Sequence, residues 1–300
     1  MISNKEKEIK KVIEEAARIA GSFLKLMAFD KLRVFNTKEK SEDSGRFLTI
    51  FDKEAERLIR NTIHMYFPKS KIYSDAEKGE EFITDPTEIT WFIDPLDGTK
   101  AFLKGQFAFV CESIAAWDKE GLMASGIYNP FTEMLYLTTR NSEVYLNSEP
   151  LPKPEAIEQG KGRILIDFAS DVPENIKFGL STADLRKELG RILRFDGSIA
   201  QHLALIAQGT LDGAVIWGTG NKGAYWDLAA ALLLLSRQGI KVTDLNGNEI
   251  HPSDKTFDQL VIAEPKLHQD LLNWIKEIKD FVIKTDDAVK KKKFLGLFNI

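Results

Sequence analysis

Two carboxylates three residues apart are the first candidates for chemistry in this sequence. Asp94 and Asp97 lie in WFIDPLDGTKAFLKGQ, residues 91–106, where an apolar strand runs into a turn. The intervening proline disfavours regular helix at Asp94 and Gly98 permits a sharp turn, so both side chains can face one space. Unpaired, the two charges would repel and raise one pKa, whereas Mg²⁺ prefers carboxylate and water oxygens. The turn therefore predicts a site for a divalent cation.

The residues that follow this pair are typical of an anion site. Gly98 and Thr99 precede a short helical run, KAFLKG, and free N–H groups at the start of a helix attract anions. A cation site beside an oxyanion site is the combination that a phosphoryl group requires. The alternative is a tight polar turn with two solvated aspartates. The full D-P-L-D-G-T pattern after an apolar strand favours the phosphoryl site.

Composition and charge exclude several classes of protein. The chain has 300 residues, 43% of them hydrophobic and 29% charged, which is typical of a soluble protein with one large domain or two modest ones. Its net charge of −4 gives no general attraction to a nucleic acid polymer or an anionic membrane. No window reaches the roughly 18 apolar residues that a membrane span needs, and the charged N-terminus is unlike a signal peptide.

Cysteine usage points to a reducing compartment. The single cysteine, Cys111, excludes an internal disulfide. It lies in FVCESIAAW, a strand-like run, where we expect a small buried hydrophobic side chain rather than a nucleophile. We therefore expect a cytoplasmic protein.

The elements that must position the carboxylate turn change character along the chain. Ser3 and Glu6 predict a capping box at the start of a first helix, and Asp52 is expected to begin a second. Residues 107–146 contain short strands separated by turn residues, which indicates an antiparallel meander. Residues 147–162 hold three prolines and no apolar periodicity, so we place a domain boundary there.

The second half alternates strands with helices, which indicates a layered α/β domain. We predict strands at 163–169, 194–198, 211–217, 240–250 and 257–264, and helices at 181–193, 198–209, 226–239 and 266–283. The predicted organisation is α/β (α+β), with an antiparallel N-terminal sheet followed by a smaller α/β domain. Its parts are 1–150 with the metal and phosphate motif, 151–284, and a lysine-rich tail at 285–300.

Three segments resemble the inositol monophosphatase family. WFIDPLDGT resembles its first signature, and GAYWDLAAALLLLSRQG, with Trp226 and Asp227, resembles its second. FDGSIAQHLALIAQGTLDGAV resembles the turn and helix that precede the second signature, and the matches lie in family order over about residues 5–265. The superfamily comprises Mg²⁺-dependent, lithium-sensitive phosphomonoesterases, including fructose-1,6-bisphosphatases and 3′-phosphoadenosine 5′-phosphate phosphatases. The resemblance implies a layered αβαβα sandwich, two or three Mg²⁺ ions, no covalent intermediate and a homodimer.

The resemblance also assigns roles to individual residues. Asp52 and Thr99 match the catalytic pair that orients the attacking water, whereas without the resemblance Asp52 would be only a helix N-cap. The family's metal ligands match Asp75, Asp94, the carbonyl of Leu96, Asp97 and Asp227. Its substrate contacts match Asp97, Gly98, Thr99, Gly197, Ser198, Ile199 and Asp227.

One departure concerns a metal ligand. The family has a glutamate pair after the strand that precedes the first signature, but here Asp75 and Ala76 stand at those positions. Aspartate can ligate Mg²⁺ but is one methylene shorter. Glu77 or Glu80 replaces it if the loop is rearranged; otherwise these residues belong to a solvated acidic loop. Because this ligand is altered, an alternative function is that of a sensor, which binds a phospho-ligand or a metal without turnover.

A second departure concerns the substrate. Inositol enzymes carry an acidic residue where this chain has Ile216 or Trp217, and the Lys100 after D-G-T resembles the nucleotide-phosphatase branch. Trp217 is either a core residue or a platform for a base. The expected substrate is an inositol monophosphate or a related sugar phosphate, including fructose-1,6-bisphosphate, with 3′-phosphoadenosine 5′-phosphate as the alternative. The tail at 285–300 is either a membrane-surface or partner-binding segment or a packed or disordered end.

Overall fold

The computed structural model describes residues 2–31, 50–74, 88–158, 160–168, 172, 177, 189–218, 223–250, 256–257 and 259–294. Over these residues it contains six α-helices and one short 3₁₀-helix, Phe107–Phe109. The α-helices are α1 (Asn4–Lys31), α2 (Ile50–Tyr66), α3 (Thr99–Leu103), α4 (Ile199–Ala207), α5 (Tyr225–Arg237) and α6 (Pro265–Phe294).

A seven-stranded sheet and a five-stranded sheet make up most of the β-structure. The first runs in chain order and comprises β1 (Lys71–Tyr73), β2 (Thr90–Asp97), β3 (Cys111–Asp118), β4 (Gly121–Asn129), β5 (Met134–Thr139), β6 (Tyr145–Leu146) and β7 (Glu149–Pro150). It is antiparallel, as predicted, except for the parallel pair β1–β2.

The second sheet is mixed. Its strands are β8 (Gly162–Phe168), β9 (Gly190–Leu193), β10 (Gly213–Trp217), β12 (Lys241–Thr243) and β14 (Gln259–Ala263), and a separate pair comprises β11 (Gly223–Ala224) and β13 (Thr256–Phe257). The strand order is β12-β14-β10-β8-β9. Strands β8, β9 and β10 are parallel, so their carboxyl ends lie at one edge of the sheet. Ligands of open α/β sheets commonly bind at such an edge.

The elements stack in five layers that enclose three apolar cores. One core lies between α1, α2 and the first sheet, one between the two sheets around α4 and α5, and one between the second sheet and α6. Neighbouring residues of β2 serve different cores, since Trp91 and Ile93 pack toward α1 and α2 while Phe92 packs toward α5. The predicted αβαβα sandwich is confirmed.

Helix α5 occupies the middle layer, which explains its composition. A helix between two sheets must be apolar nearly all round, and the run LAAALLLL supplies this. The buried residues are Leu228, Ala229, Ala230, Ala231, Leu233, Leu234 and Leu235. Burial of each leucine stabilises the fold by about 1.5–3 kcal/mol.

The structure corrects three predicted boundaries. Helix α2 begins at Ile50, so Asp52 lies in its first turn rather than at its N-cap. Residues Gly190–Leu193 form a strand instead of the end of a helix, and the strand expected at 194–198 is irregular. The strand replaces the helix at Gly190. This residue has a φ of 107°, which is not helical, and a Cβ there would collide with the backbone of Gly162 on the neighbouring strand.

The two ends of the described chain also bear on predictions. The capping box is confirmed, since the Ser3 amide donates to Glu6 Oε2 at 2.8 Å and the Glu6 amide donates to Ser3 Oγ at 3.1 Å. Helix α6 continues beyond the predicted 266–283 and ends at Phe294. Within the described ranges, no helix is both long and apolar enough to cross a membrane.

Candidate active site

The carboxylate turn lies at the carboxyl end of β2, beside the start of β3. Asp94 pairs with Ser113 and Asp97 pairs with Cys111, so β2 has one more residue than β3 over this interval. This bulge bends the strand. The amide of Leu96 donates to Asp94 Oδ1 at 3.0 Å, which closes the turn. The predicted strand-to-turn transition therefore places both carboxylates in one short bulged segment.

Asp97 connects this turn to the start of α4. Its Oδ2 accepts a hydrogen bond from Ser198 Oγ at 2.6 Å and one from the Ala200 amide at 2.8 Å. Burial raises the pKa of Asp97 to about 6, although these bonds and those from the Gly98 and Ile199 amides act in the opposite direction. A buried carboxyl group in this state gains from a nearby cation.

Two glycines allow the turns on either side of Asp97 to meet. Gly98 and Gly197 have φ values of 87° and 111°. A Cβ on Gly98 would lie 2.7 Å from the carbonyl oxygen of Phe109, and a Cβ on Gly197 would collide with the same oxygen. That oxygen accepts the Ser198 amide at 2.8 Å. The predicted substrate-binding turns at 98–99 and 197–199 are therefore adjacent.

The predicted catalytic pair is in contact. Thr99 Oγ1 lies 2.8 Å from Asp52 Oδ1 and 3.0 Å from the carbonyl oxygen of Leu96. Asp52 is buried, with 4% of its surface exposed. When the Thr99 hydroxyl donates its proton to Asp52, its lone pairs are available to accept a hydrogen bond from a water.

Asp227 lies in the first turn of α5, which packs on the same strand. Tyr225 meets Phe92 edge to face, with ring centroids 5.1 Å apart, two residues before Asp94. No three Asp, Glu, His or Cys side chains come close enough to hold a metal ion together in the part of the chain that the structure describes. The assignment of Asp94, Asp97 and Asp227 as metal ligands stays a prediction.

The chemistry of the donors nevertheless suits a hard cation. The carboxylates of Asp94, Asp97 and Asp227 and the carbonyl of Leu96 offer only oxygen, the donor that Mg²⁺ prefers over the nitrogen and sulfur that Zn²⁺ favours. The remaining predicted ligand, Asp75, lies outside the described residues, as do its alternatives Glu77 and Glu80.

The core interpretation of Trp217 is confirmed. Its side chain is 7% exposed and packs in the core beneath α6, where Lys279 Nζ lies 5.5 Å from the ring centroid. Ile216 is 1% exposed and packs between the two sheets. Neither residue therefore offers a base platform or replaces the acidic residue of the inositol enzymes.

Sequence reasoning missed an ion pair at the rim of this region. Lys104 follows α3 as its C-cap, and its Nζ lies 2.9 Å from Oδ2 of Asp196, the residue before Gly197. This bond, and further away the charge of Lys100, lower the pKa of Asp196. The sequence shows that both residues are charged, but local spacing cannot predict that two residues 92 positions apart form a pair.

Buried His202 packs beneath the turn at Gly197. It is 4% exposed and packs against Phe195 and Phe109, with ring centroids 5.6 and 6.4 Å away. Burial lowers its pKa to about 4, so the imidazole is neutral at pH 7. The side chain therefore has a structural role in holding the turn at Gly197.

Comparisons with known proteins agree with this geometry. The model of the inositol monophosphatase family matches residues 5–280. A fructose-1,6-bisphosphatase/inositol-1-monophosphatase of Aquifex aeolicus is 27% identical over 92% of this chain and 99% of its own. The Nus factor SuhB of Vibrio cholerae is 29% identical over 87% and 93%. The crystal structure of the extragenic suppressor protein SuhB from Bartonella henselae is 25% identical, covers 90% of this chain and 98% of its own, and has a TM-score of 0.73. The chain therefore belongs to the inositol monophosphatase family, whose members are metal-dependent phosphatases that hydrolyse phosphoric monoesters.

Proposed function

We propose that this protein is a Mg²⁺-dependent phosphomonoesterase that hydrolyses a small phosphorylated metabolite by direct attack of water. The observation that carries the proposal is the Thr99–Asp52 contact, 2.8 Å long, next to the Asp97 turn. A hydroxyl that is oriented by a buried carboxylate can accept the proton of a water as the water attacks. Family membership supports the same reaction.

The proton path uses residues that are already in contact. The attacking water donates to Thr99 Oγ1 while the Thr99 hydroxyl donates to Asp52 Oδ1, so the water's proton is taken up as its oxygen bonds to phosphorus. The bond between phosphorus and the ester oxygen breaks in the same displacement, and the departing oxygen takes a proton from a second water to leave as the alcohol. Asp75, Asp94, Asp97, Asp227 and the carbonyl of Leu96 would hold the metal. When bound, Mg²⁺ supplies the positive charge that lowers the pKa of water and stabilises the phosphoryl and leaving oxygens.

The substrate is placed by the two turns that meet at Phe109. Gly98 and Thr99 form the turn proposed to hold the phosphoryl group. The Thr99 amide at the start of α3 is suited to its oxygens, whereas the Gly98 amide already donates to Asp97. The part of the substrate outside the phosphoryl group is contacted by Asp97, Asp227 and the turn at Gly197, Ser198 and Ile199. This assignment is supported by the positive φ of both glycines, which lets the two turns approach without side chains between them.

Among substrates we put inositol monophosphate or a related sugar phosphate first, including fructose-1,6-bisphosphate. The names of the relatives support this choice, since the Aquifex protein carries both activities in its name. The alternative, 3′-phosphoadenosine 5′-phosphate, is favoured by Lys100, whose positive charge acts on the rim at Asp196. The proposal includes two or three Mg²⁺ ions and a homodimer.

A second candidate function is binding without turnover. The Vibrio relative is named as a Nus factor, and the position of the family's ligand glutamate is occupied by Asp75. Such a sensor would bind a phosphorylated ligand or a metal but release no phosphate.

One assay separates these candidates. Phosphate release is measured with Mg²⁺ and with a chelator, over inositol 1-phosphate, fructose-1,6-bisphosphate and 3′-phosphoadenosine 5′-phosphate. The proposal expects Mg²⁺-dependent release from at least one of them and loss of release in Thr99→Ala. No release from any substrate, with calorimetric binding retained, would favour the sensor.

A further inference from the structure

Cys111 lies beside the candidate metal site, in contact with a residue that bonds a predicted metal ligand. It is the first residue of β3 and the in-register neighbour of Asp97 on β2. Its side chain is fully buried, and Sγ lies 3.1 Å from Ser198 Oγ. Since Ser198 in turn bonds Asp97, two hydrogen bonds through one hydroxyl connect the thiol to a predicted metal ligand.

The direction of each hydrogen bond follows from the partners of Ser198. Its hydroxyl has one proton, which goes to the carboxylate oxygen of Asp97 at 2.6 Å. One of its lone pairs accepts the amide of Gln201 at 2.9 Å, which caps α4. The remaining lone pair is left for the thiol, so Cys111 donates to Ser198. Burial keeps the thiol protonated, since the pKa of Cys111 lies well above its ordinary value.

We infer that Cys111 is a positioning residue that acts through Ser198 to orient the Asp97 carboxylate for Mg²⁺. The chain runs from the thiol to the Ser198 hydroxyl and then to Asp97 Oδ2. Donors arranged in series polarise one another, so each strengthens the next. Oδ2 accepts hydrogen bonds from Ser198 and Ala200, and the Gly98 and Ile199 amides also bond the carboxylate, so this network fixes its orientation. This inference rests on the proposed metal role of Asp97.

The inference is tested by Mg²⁺ binding to the metal-free full-length protein, measured by isothermal titration calorimetry without substrate. Cys111→Ala removes the donor and should weaken Mg²⁺ binding by about 3- to 10-fold, the size expected from one modest hydrogen bond. Cys111→Ser keeps a donor and should bind within twofold of the wild type. The matched control is Ser125→Ala on β4, which removes a fully buried hydroxyl that has no hydrogen-bond partner among the described residues.

A double-mutant cycle distinguishes positioning from packing. In the Ser198→Ala background the thiol has no hydroxyl to act through, so adding Cys111→Ala should change Mg²⁺ affinity by less than 1.5-fold. A packing role predicts the same loss in both backgrounds. If Cys111→Ala does not fold, Cys111→Val fills the space without a donor and takes its place under the same criteria.

The outcomes also separate this inference from the proposed function. If Cys111→Ala binds Mg²⁺ as tightly as Ser125→Ala, or loses the same factor with and without Ser198, the inference is overturned even when the wild type releases phosphate. If the wild type binds Mg²⁺ but releases no phosphate, the proposed function fails while the cycle still decides the role of Cys111.

Discussion

Replacement of Asp97 by asparagine should separate stability from activity. The carboxyl group is buried and its pKa is raised to about 6 from an ordinary value of 3.8. Asparagine keeps the shape and an acceptor oxygen for Ser198 and Ala200 but carries no charge. In the absence of Mg²⁺ the folded protein therefore no longer has to hold a buried carboxylate, whereas a metal ligand and the activity are lost.

The magnitude follows from linkage between protonation and folding. Below pH 3.8 the carboxyl group is neutral in both states and contributes nothing. As pH rises from about 4 to 6 the unfolded chain ionises while the folded protein still binds the proton, so stability falls. Above pH 6 the full difference applies, and a separation of about two between the pKa values corresponds to about 3 kcal/mol. Asp97→Asn lacks this loss.

The measurement is urea unfolding of both proteins in metal-free buffer from pH 4 to pH 8. The free energy of unfolding of Asp97→Asn, minus that of the wild type, should rise by about 3 kcal/mol over this range, because other titrating groups cancel in the difference. With Mg²⁺ present the variant should show no turnover above background. A difference that is constant with pH would refute the reasoning about burial, and an unchanged kcat would refute the role of Asp97.

Four further variants test the neighbouring features. Thr99→Ala should lower kcat by about 10²- to 10⁴-fold while Thr99→Ser keeps most activity, as steady-state kinetics would show, because only a hydroxyl can pass the proton of water to a carboxylate. Gly98→Ala should lower the free energy of unfolding by at least about 1–2 kcal/mol and reduce turnover, since φ is positive there and the Cβ meets the backbone of Phe109; normal stability and activity would contradict the close approach. In the wild type the free energy of unfolding should fall by about 3 kcal/mol as pH falls from 6.5 to 4, and His202→Phe should remove this loss. The folded imidazole has a pKa of about 4, so only the unfolded chain takes up the proton in that range. Parallel pH profiles of the free energy of unfolding in the two proteins would exclude this. Glu112→Met should raise the free energy of unfolding by about 1–3 kcal/mol, because this fully buried carboxyl has neither oxygen hydrogen-bonded in the described structure, and a loss of stability in urea would reveal an unseen partner.

Local patterns predicted the elements whose cause is local. The D-P-L-D-G-T turn, the capping box at Ser3 and the apolar run of α5 each carry their own signal, since proline, glycine and leucine act on their immediate neighbours. Gly190 carried such a signal too, but the amphipathic run LRKELGRIL around it favoured a helix. The parallel partner β8 decided for a strand, and that partner lies 28 residues earlier in the register Gly162–Gly190.

The site was predictable only in part, because its contacts join distant segments. The resemblance paired Asp52 with Thr99, and the structure brings them together across 47 residues. The contact of Cys111 with Ser198, across 87 residues, had no local signature, and the sequence indicated only that the thiol is buried. Asp97 likewise receives its donors from α4, which depends on how the two sheets stack around the middle layer.

The middle layer also constrains how the chain can be made. The inner face of the first sheet is complete in sequence at β7, but its covering helices α4 and α5 are not finished until Arg237. At a synthesis rate of about 5–20 residues per second, the roughly 90 residues in between leave that apolar face uncovered for about 5–20 s. During this interval the nascent chain presents an open sheet to the surrounding solvent. Chaperone dependence of this protein should therefore concentrate on chains stalled between the end of β7 and the end of α5.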